Sequence, residues 1–258
     1  MFKHQYIRII AIILLILTSS LAAFSVISWW YFVIVLLIWL HIIALGVFNI
    51  QTGFFTQTYC HQFGDSQRKL AISFDDGPTE QTQKVLTLLE KYNAKATIFC
   101  IGKQIEKYPG TFLEIFRSGH TIGNHTFTHS NKTGFFSVCQ MQDEIETTNE
   151  LVEKLTGKKM LLYRPPYGVT NPNIAKAVKH TKHRVIGWNI RSLDTVIKSE
   201  DRILKRITSR LQPGSIILLH DISDKTVNVL EQLLIILNKE NYQLVTVDNL
   251  LNIEPYEN

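Results

Sequence analysis

Lys69-Leu70-Ala71-Ile72-Ser73-Phe74-Asp75-Asp76-Gly77-Pro78 is the stretch on which the reading of this chain turns. An apolar, strand-like run stops abruptly at two adjacent carboxylates, a glycine and a proline. Asp, Gly and Pro are favoured turn formers, so a plain turn is one reading of these last four residues. Neighbouring carboxylates leaving an apolar strand are costly unless a cation compensates them, so a site is the other.

The surroundings decide between them. Further strand-like segments lie at 96–101, 120–124, 161–163, 184–188, 215–219 and 243–247. Between them apolar residues return at helical spacing, as in Val85, Leu86, Leu88 and Leu89, and in Val229, Leu230, Leu233, Leu234 and Leu237. Strands alternating with helices imply an α/β domain with a mainly parallel sheet, open or closed into a barrel. In such folds functional groups gather at the carboxyl ends of the strands. The unusual polar residues of this chain lie there. Segment 120–124 runs into His125-Thr126-Phe127-Thr128-His129, and 161–163 into Arg164-Pro165-Pro166-Tyr167-Gly168. Asp194 follows Trp188, and 215–219 ends in His220-Asp221.

His125 and His129 stand four apart, which puts both imidazoles on one face if the stretch is a helical turn and suits a metal chelate. With Asp76 they make a two-histidine, one-carboxylate set that leaves positions open for water. Arg164 precedes two prolines and reads either as a surface ion pair or as a cation keeping a site carboxylate ionised. His220 reads as a capped core histidine or as a proton donor facing a pocket. Together these groups specify metal-assisted hydrolysis.

Five ordered motifs carry a resemblance: Ser73 to Pro78, His125 to His129, Arg164 to Gly168, Trp188 to Asp194, and Leu218-Leu219-His220. They resemble those of the polysaccharide deacetylase (NodB-homology) family, carbohydrate esterase family four, from about Lys69 to Leu251. The resemblance implies an irregular (β/α) barrel and an enzyme that removes N-acetyl groups from acetylamino sugars of a glycan. Peptidoglycan, another surface polysaccharide or a chitin-like oligosaccharide would serve, and a lipid-linked amino sugar is the alternative substrate. A non-catalytic sugar-binding protein on the same fold ranks last, since every acid, base and ligand position is filled.

By the same resemblance Asp76, His125 and His129 hold a divalent metal, usually Zn2+, and Asp75 is the base acting on the attacking water. The Tyr167 N–H faces the oxyanion, and His220 is the acid for the leaving amine. Arg164 orients Asp75, and Asp194 braces either Arg164 or His220. Tyr167, Pro166 and Trp188 line the sugar site, with Trp188 equally readable as core. The fourth motif departs from the family's usual Asp-x-x-Asp-Trp: Asn189 stands upstream and Thr195 follows Asp194. The missing Trp puts binding of a long polymer in doubt.

Charge divides the chain. Residues 1–64 contain no acid and two basic residues, Lys3 and Arg8, so the remainder carries +3 of the net +5. Basic residues there are scattered among acids, with no stripe to follow a phosphate backbone, so nucleic acid is not expected as a partner. Runs 9–27 and 31–50 are uncharged and long enough to cross a bilayer, with Trp29, Trp30 and Tyr31 at the headgroup level of the turn. A cleaved signal peptide is the competing reading of the first run. The expectation is a two-helix membrane hairpin at 1–50, a linker at 51–68 and the catalytic domain at 69–258, in a protein of the bacterial inner membrane. Lys3, Arg8, Arg68 and Lys69 bias both ends slightly to the cytoplasmic side and leave the face open. No protein partner is implied. Three cysteines without motif spacing exclude a disulfide scaffold.

Overall fold

The computed structural model describes residues 3–62, 64 and 67–257. Two apolar helices come first, α1 (Lys3–Ala23) and α2 (Trp30–Phe48), followed by a short strand, β1 (Thr58–Tyr59). The chain then alternates through β2 (Lys69–Gly77), α3 (Thr82–Lys91), β3 (Thr97–Cys100), α4 (Gly102–Lys107), α5 (Pro109–Arg117), β4 (Thr121–Asn124) and α6 (Val138–Thr156). It continues through β5 (Leu162–Tyr163), α7 (Pro172–His180), β6 (Arg184–Ile186), β7 (Ile190–Arg191) and α8 (Glu200–Thr208). The last elements are β8 (Ile216–His220), α9 (Asp224–Lys239), β9 (Gln243–Leu244) and α10 (Val247–Leu251).

The strands pair in the order β1-β6-β5-β4-β3-β2-β8-β7, with β9 also on β2, and every pairing is parallel. Segment 184–188, expected as one strand, ends early: β6 stops at Ile186 and pairs with β1 and β5, while β7, after three intervening residues, pairs with β8. One stretch of chain therefore reaches both ends of the sheet and curls it into an irregular (β/α) barrel. The Asn189 side chain pins this crossing, accepting from the Ile216 N–H and donating to the Ser215 hydroxyl.

Strand periodicity sorts the core into two layers. Leu70, Ile72 and Phe74 of β2, with Ile217 and Leu219 of β8, pack beneath the buried faces of α3 and α9. Ala71 of β2, Ile216 and Leu218 of β8, and Phe99 of β3 belong to a second cluster inside the barrel. Continuing that alternation, Ser73 and Asp75 on β2 and His220 on β8 fall on the barrel-interior side. Asp75 and His220 stand in register at the carboxyl ends of adjacent strands.

Within the segment expected as a linker, residues 58–60 join the barrel. Ile50 and Cys60 are buried against Val185 and Ile186, and β1 adds a strand to β6. Helices α1 and α2 pack as a pair, yet keep large apolar side chains in the open, Ile16 at 61% and Trp30 at 72% exposure. Both are long and apolar enough to cross a membrane.

Candidate active site

The site begins where β2 breaks register with β3. A bulge falls between Asp75 and Gly77, and Asp76 adopts φ of 73°, left-handed backbone that a residue with a side chain holds only when its surroundings insist. The bulge lets consecutive residues serve one site instead of opposite faces of the sheet. Gly77 is obligatory by contact: a Cβ there would lie 2.9 Å from Asp221 Oδ2 and 2.9 Å from Ile98 Cγ2.

Arg164 lies wholly buried inside the barrel. Its Nη1 donates to Asp75 Oδ1 (2.7 Å) and Ser73 Oγ (2.9 Å), Nε to the Ile186 carbonyl (3.2 Å), and Nη2 to the Gly187 carbonyl (2.9 Å). The guanidinium carbon also stands 4.0 Å from the Phe99 ring centroid. Burial alone would raise the Asp75 pKa, but Arg164, with His125 and His220, outweighs it and holds the carboxyl below its ordinary value. Of the two sequence readings of Arg164, the surface ion pair is excluded.

Asp76, His125 and His129 bring one ligand atom each to within 4.8 Å of one another. Asp76 Oδ1 is 3.6 Å from His125 Nε2 and 3.4 Å from His129 Nε2. His125 Nδ1 lies 2.7 Å from the Arg164 carbonyl. A carbonyl can only accept, so Nδ1 carries a proton, and Nε2 is the ring atom that faces Asp76, where a metal-ligating imidazole presents its donor. Burial, helped by His125, lowers the His129 pKa to about 4, which leaves the His129 ring neutral. A carboxylate and two imidazoles form a donor set that fits a divalent cation of zinc type.

The loop carrying the histidines is not the helical turn their spacing suggested. Thr126 (φ 66°) and His129 (φ 50°) are left-handed, and the rings come together at 4.7 Å between centroids through a tight bend. Asn124 Oδ1 accepts from the Thr126 N–H, and Thr126 Oγ1 from the His129 N–H. Glu144 of α6 clamps the far side, accepting from the N–H groups of Phe127 and Thr128 and from the Thr128 hydroxyl. Sequence reasoning missed Glu144, because a single acid in an amphipathic helix reads as solvent-facing charge.

Asp194 lies against His220, not Arg164. His220 Nδ1 is 2.9 Å from Asp194 Oδ1 and the His220 N–H donates to Oδ2 at 2.8 Å. Ser192 and Thr226 donate hydroxyls to the same carboxylate. Burial works to lower the His220 pKa, but the Asp194 hydrogen bond and charge, helped by Asp75 and Asp76, raise it to about 8. The following residue, Asp221, is fully buried, and burial pushes it up to about 7 against the hydrogen bond from Thr82.

Of the residues expected to line a sugar site, Tyr167 alone is open, at 54% exposure, with its ring 4.9 Å from that of His129. Its φ of 60° turns the peptide, and among the described residues the Tyr167 N–H has no backbone acceptor. Pro166 is buried beneath it. Trp188 is 6% exposed and 5.5 Å from the Arg164 guanidinium, which is the core placement and leaves no face for stacking a sugar.

A curled parallel barrel with a histidine-carboxylate cluster and an arginine-held aspartate at its mouth is the arrangement of a carbohydrate deacetylase, and the comparisons agree. Residues 64–186 match the family model for polysaccharide deacetylase, and the chain belongs to that family. It is 33% identical over 193 residues to a peptidoglycan-N-acetylglucosamine deacetylase of Bacillus cereus, covering 72% of this chain and 90% of that one. It is 31% identical over 190 residues to the peptidoglycan-N-acetylmuramic acid deacetylase PdaC of Bacillus subtilis, covering 73% of this chain but only 40% of PdaC. Among solved structures, the Bc1960 peptidoglycan N-acetylglucosamine deacetylase superposes with a TM-score of 0.72 at 28% identity, over 78% of this chain and 94% of that one.

Proposed function

We propose that the protein is a membrane-anchored, metal-dependent deacetylase of acetylamino sugars in a bacterial glycan. The observation that carries this is the pairing of two environments at one barrel mouth: an ionised, arginine-held Asp75 and a protonated, aspartate-held His220, in register on adjacent strands beside the Asp76, His125 and His129 cluster. Groups whose surroundings push their pKa values apart make a base and an acid.

Asp76, His125 and His129 hold one divalent cation, with Zn2+ the best match to their donor set. That cation, when bound, polarises the acetamido carbonyl and acidifies the attacking water. Asp75 takes the water's proton, and its hydrogen bonds to Arg164 fix the direction of the free oxygen. The Tyr167 N–H donates to the oxygen on which charge develops, a contribution of about 3 kcal/mol for one such donor. His220 gives its proton to the departing nitrogen. The C–N bond breaks, acetate leaves, and the sugar keeps a free amine. Exposed Tyr167 offers its ring to the sugar. The hairpin of α1 and α2 anchors the whole in the bilayer.

Acetate release by the zinc-loaded full chain from N-acetylglucosamine oligomers and from cell-wall glycan tests this reading. Release abolished by a chelator and restored by Zn2+ is the expected result. A folded, metal-loaded protein that releases no acetate from any acetylamino sugar would refute it.

A further inference from the structure

The barrel is bolted to the hairpin at the same loop that builds the site. Thr170, three residues past Tyr167, donates its N–H to the Val47 carbonyl (3.1 Å) and its hydroxyl to the Gly46 carbonyl (3.2 Å), groups that the end of α2 leaves without helical partners. One residue, Asn49, separates the last residue of α2 from Ile50, which is 3% exposed and sits in the barrel's inner core. Gly46 admits the Phe54 ring so closely that a Cβ would stand 2.2 Å from it, and the N–H of His4 in α1 reaches the Phe54 carbonyl. The end of α2 is thus fixed to the barrel, and the start of α1 to the segment that joins α2 to it.

The consequence is reach. Three extended residues span at most about 11 Å, so with the Thr170 contact and the side-chain lengths added the Tyr167 and His129 rings lie within roughly 25 Å of the last turn of α2. With no free tether, the site cannot leave the bilayer surface to follow a polymer. Beside it, the barrel-proximal half of the hairpin carries a groove of about 210 Å3, lined by Ile7, Ile10 and Leu14 of α1 and Val35, Ile38 and Trp39 of α2. Its lining is almost wholly apolar, the chemistry of a hydrocarbon chain.

Resting on the deacetylase reading, we infer that the substrate is an acetylamino sugar carried on a membrane lipid, its tail in the hairpin groove and its acetamido group at Asp75 and His220. The reaction is unchanged: water adds to the amide carbonyl, the C–N bond breaks, and acetate and a lipid-borne amine result. A wall polymer reaches this site only where it lies against the membrane.

The test uses the zinc-loaded full chain in lipid nanodiscs. Three probes are compared: N-acetylglucosamine on a long polyprenyl diphosphate, the same headgroup on a short water-soluble tail, and N-acetylglucosamine oligomers. The long tail is expected to raise kcat/KM at least about 10-fold over the short one, since each buried methylene adds to binding. Leu14→Trp, which fills the groove, is expected to remove most of that preference. Ile16→Trp, on the opposite face of α1, is expected to keep it. Equal kcat/KM for long and short tails, or acetate from the oligomers alone, overturns the lipid-borne substrate and leaves the deacetylase standing. No acetate from any probe overturns both.

Discussion

Asp194→Asn is the most informative single change in the site. Four groups surround the Asp194 carboxylate, and all are donors: the His220 ring Nδ1–H, the His220 backbone N–H, and the hydroxyls of Ser192 and Thr226. Only a carboxylate offers acceptors to all of them. An amide must turn an NH2 toward donors on one side, and it removes the charge that holds His220 protonated. Burial, which lowers the His220 pKa, is then barely opposed, so the value should fall from about 8 to 6.5 or below. At about 1.4 kcal/mol per pH unit, that is a loss of about 2 kcal/mol in favour of the charged ring.

The sign follows from the direction of the shift. Because the folded pKa is raised, the Asp194–His220 pair contributes stability in full below the ordinary histidine value of 6.5 and loses it as pH rises through about 8. The acid form needed for catalysis disappears over the same window, giving kcat an alkaline limb near 8. In the variant that limb should move to 6.5 or lower. At pH 7.5 the protonated fraction falls from about three-quarters to about a tenth, an eightfold drop in kcat before any loss of alignment. The assay is the pH profile of kcat for acetate release at saturating Zn2+, wild type against Asp194→Asn. An alkaline limb that stays near 8 in the variant would refute the assignment of His220 as the acid held by Asp194.

Four further substitutions separate ligands from neighbours. Asp75→Asn should cut kcat by at least about 100-fold yet keep near-stoichiometric zinc, while His125→Ala should lose the zinc itself; elemental analysis beside turnover reads both. Glu144→Gln should weaken zinc affinity about 10-fold or more, because the three donors it receives fix the loop that carries His129; competition with a chromogenic chelator measures this. Gly77→Ala forces a Cβ to 2.9 Å from Asp221 and Ile98 and should cost about 1–3 kcal/mol, seen as a lowered Tm.

Much of this arrangement was legible in the sequence, and the parts that were not share a cause. The long strand at Lys69 and its helices announce themselves because alternation and helical spacing extend over enough residues to be counted. Asp75, Asp76, His125, His129, Arg164 and His220 stand out because each is an unusual polar residue at or just past the end of an apolar strand. Strands β1 and β7 are two residues each and show no period at all. The early end of 184–188 depends on Asn189 bridging to Ser215 and Ile216, a contact between residues 26 and 27 positions apart. The choice of Asp194 between Arg164 and His220 likewise needed tertiary distances, as did the burial of Trp188. The backbone at Thr126 and His129 was unreadable because i, i+4 spacing signals a helix, whereas left-handed torsions bring the same two rings together without one. Segment 51–68 carries no periodicity from which β1 or the burial of Cys60 in the barrel core could be read.

The central claim is that one divalent cation, held by Asp76, His125 and His129, is what the chemistry needs. Titrating Zn2+ into chelator-stripped full-length protein, while following acetate release from an N-acetylated glucosamine substrate, tests it most directly. Activity should rise linearly from near zero and break at one equivalent in the wild type, with no rise in His129→Ala over that range. Full acetate release from the stripped protein, or an unchanged one-equivalent break in His129→Ala, would contradict the account.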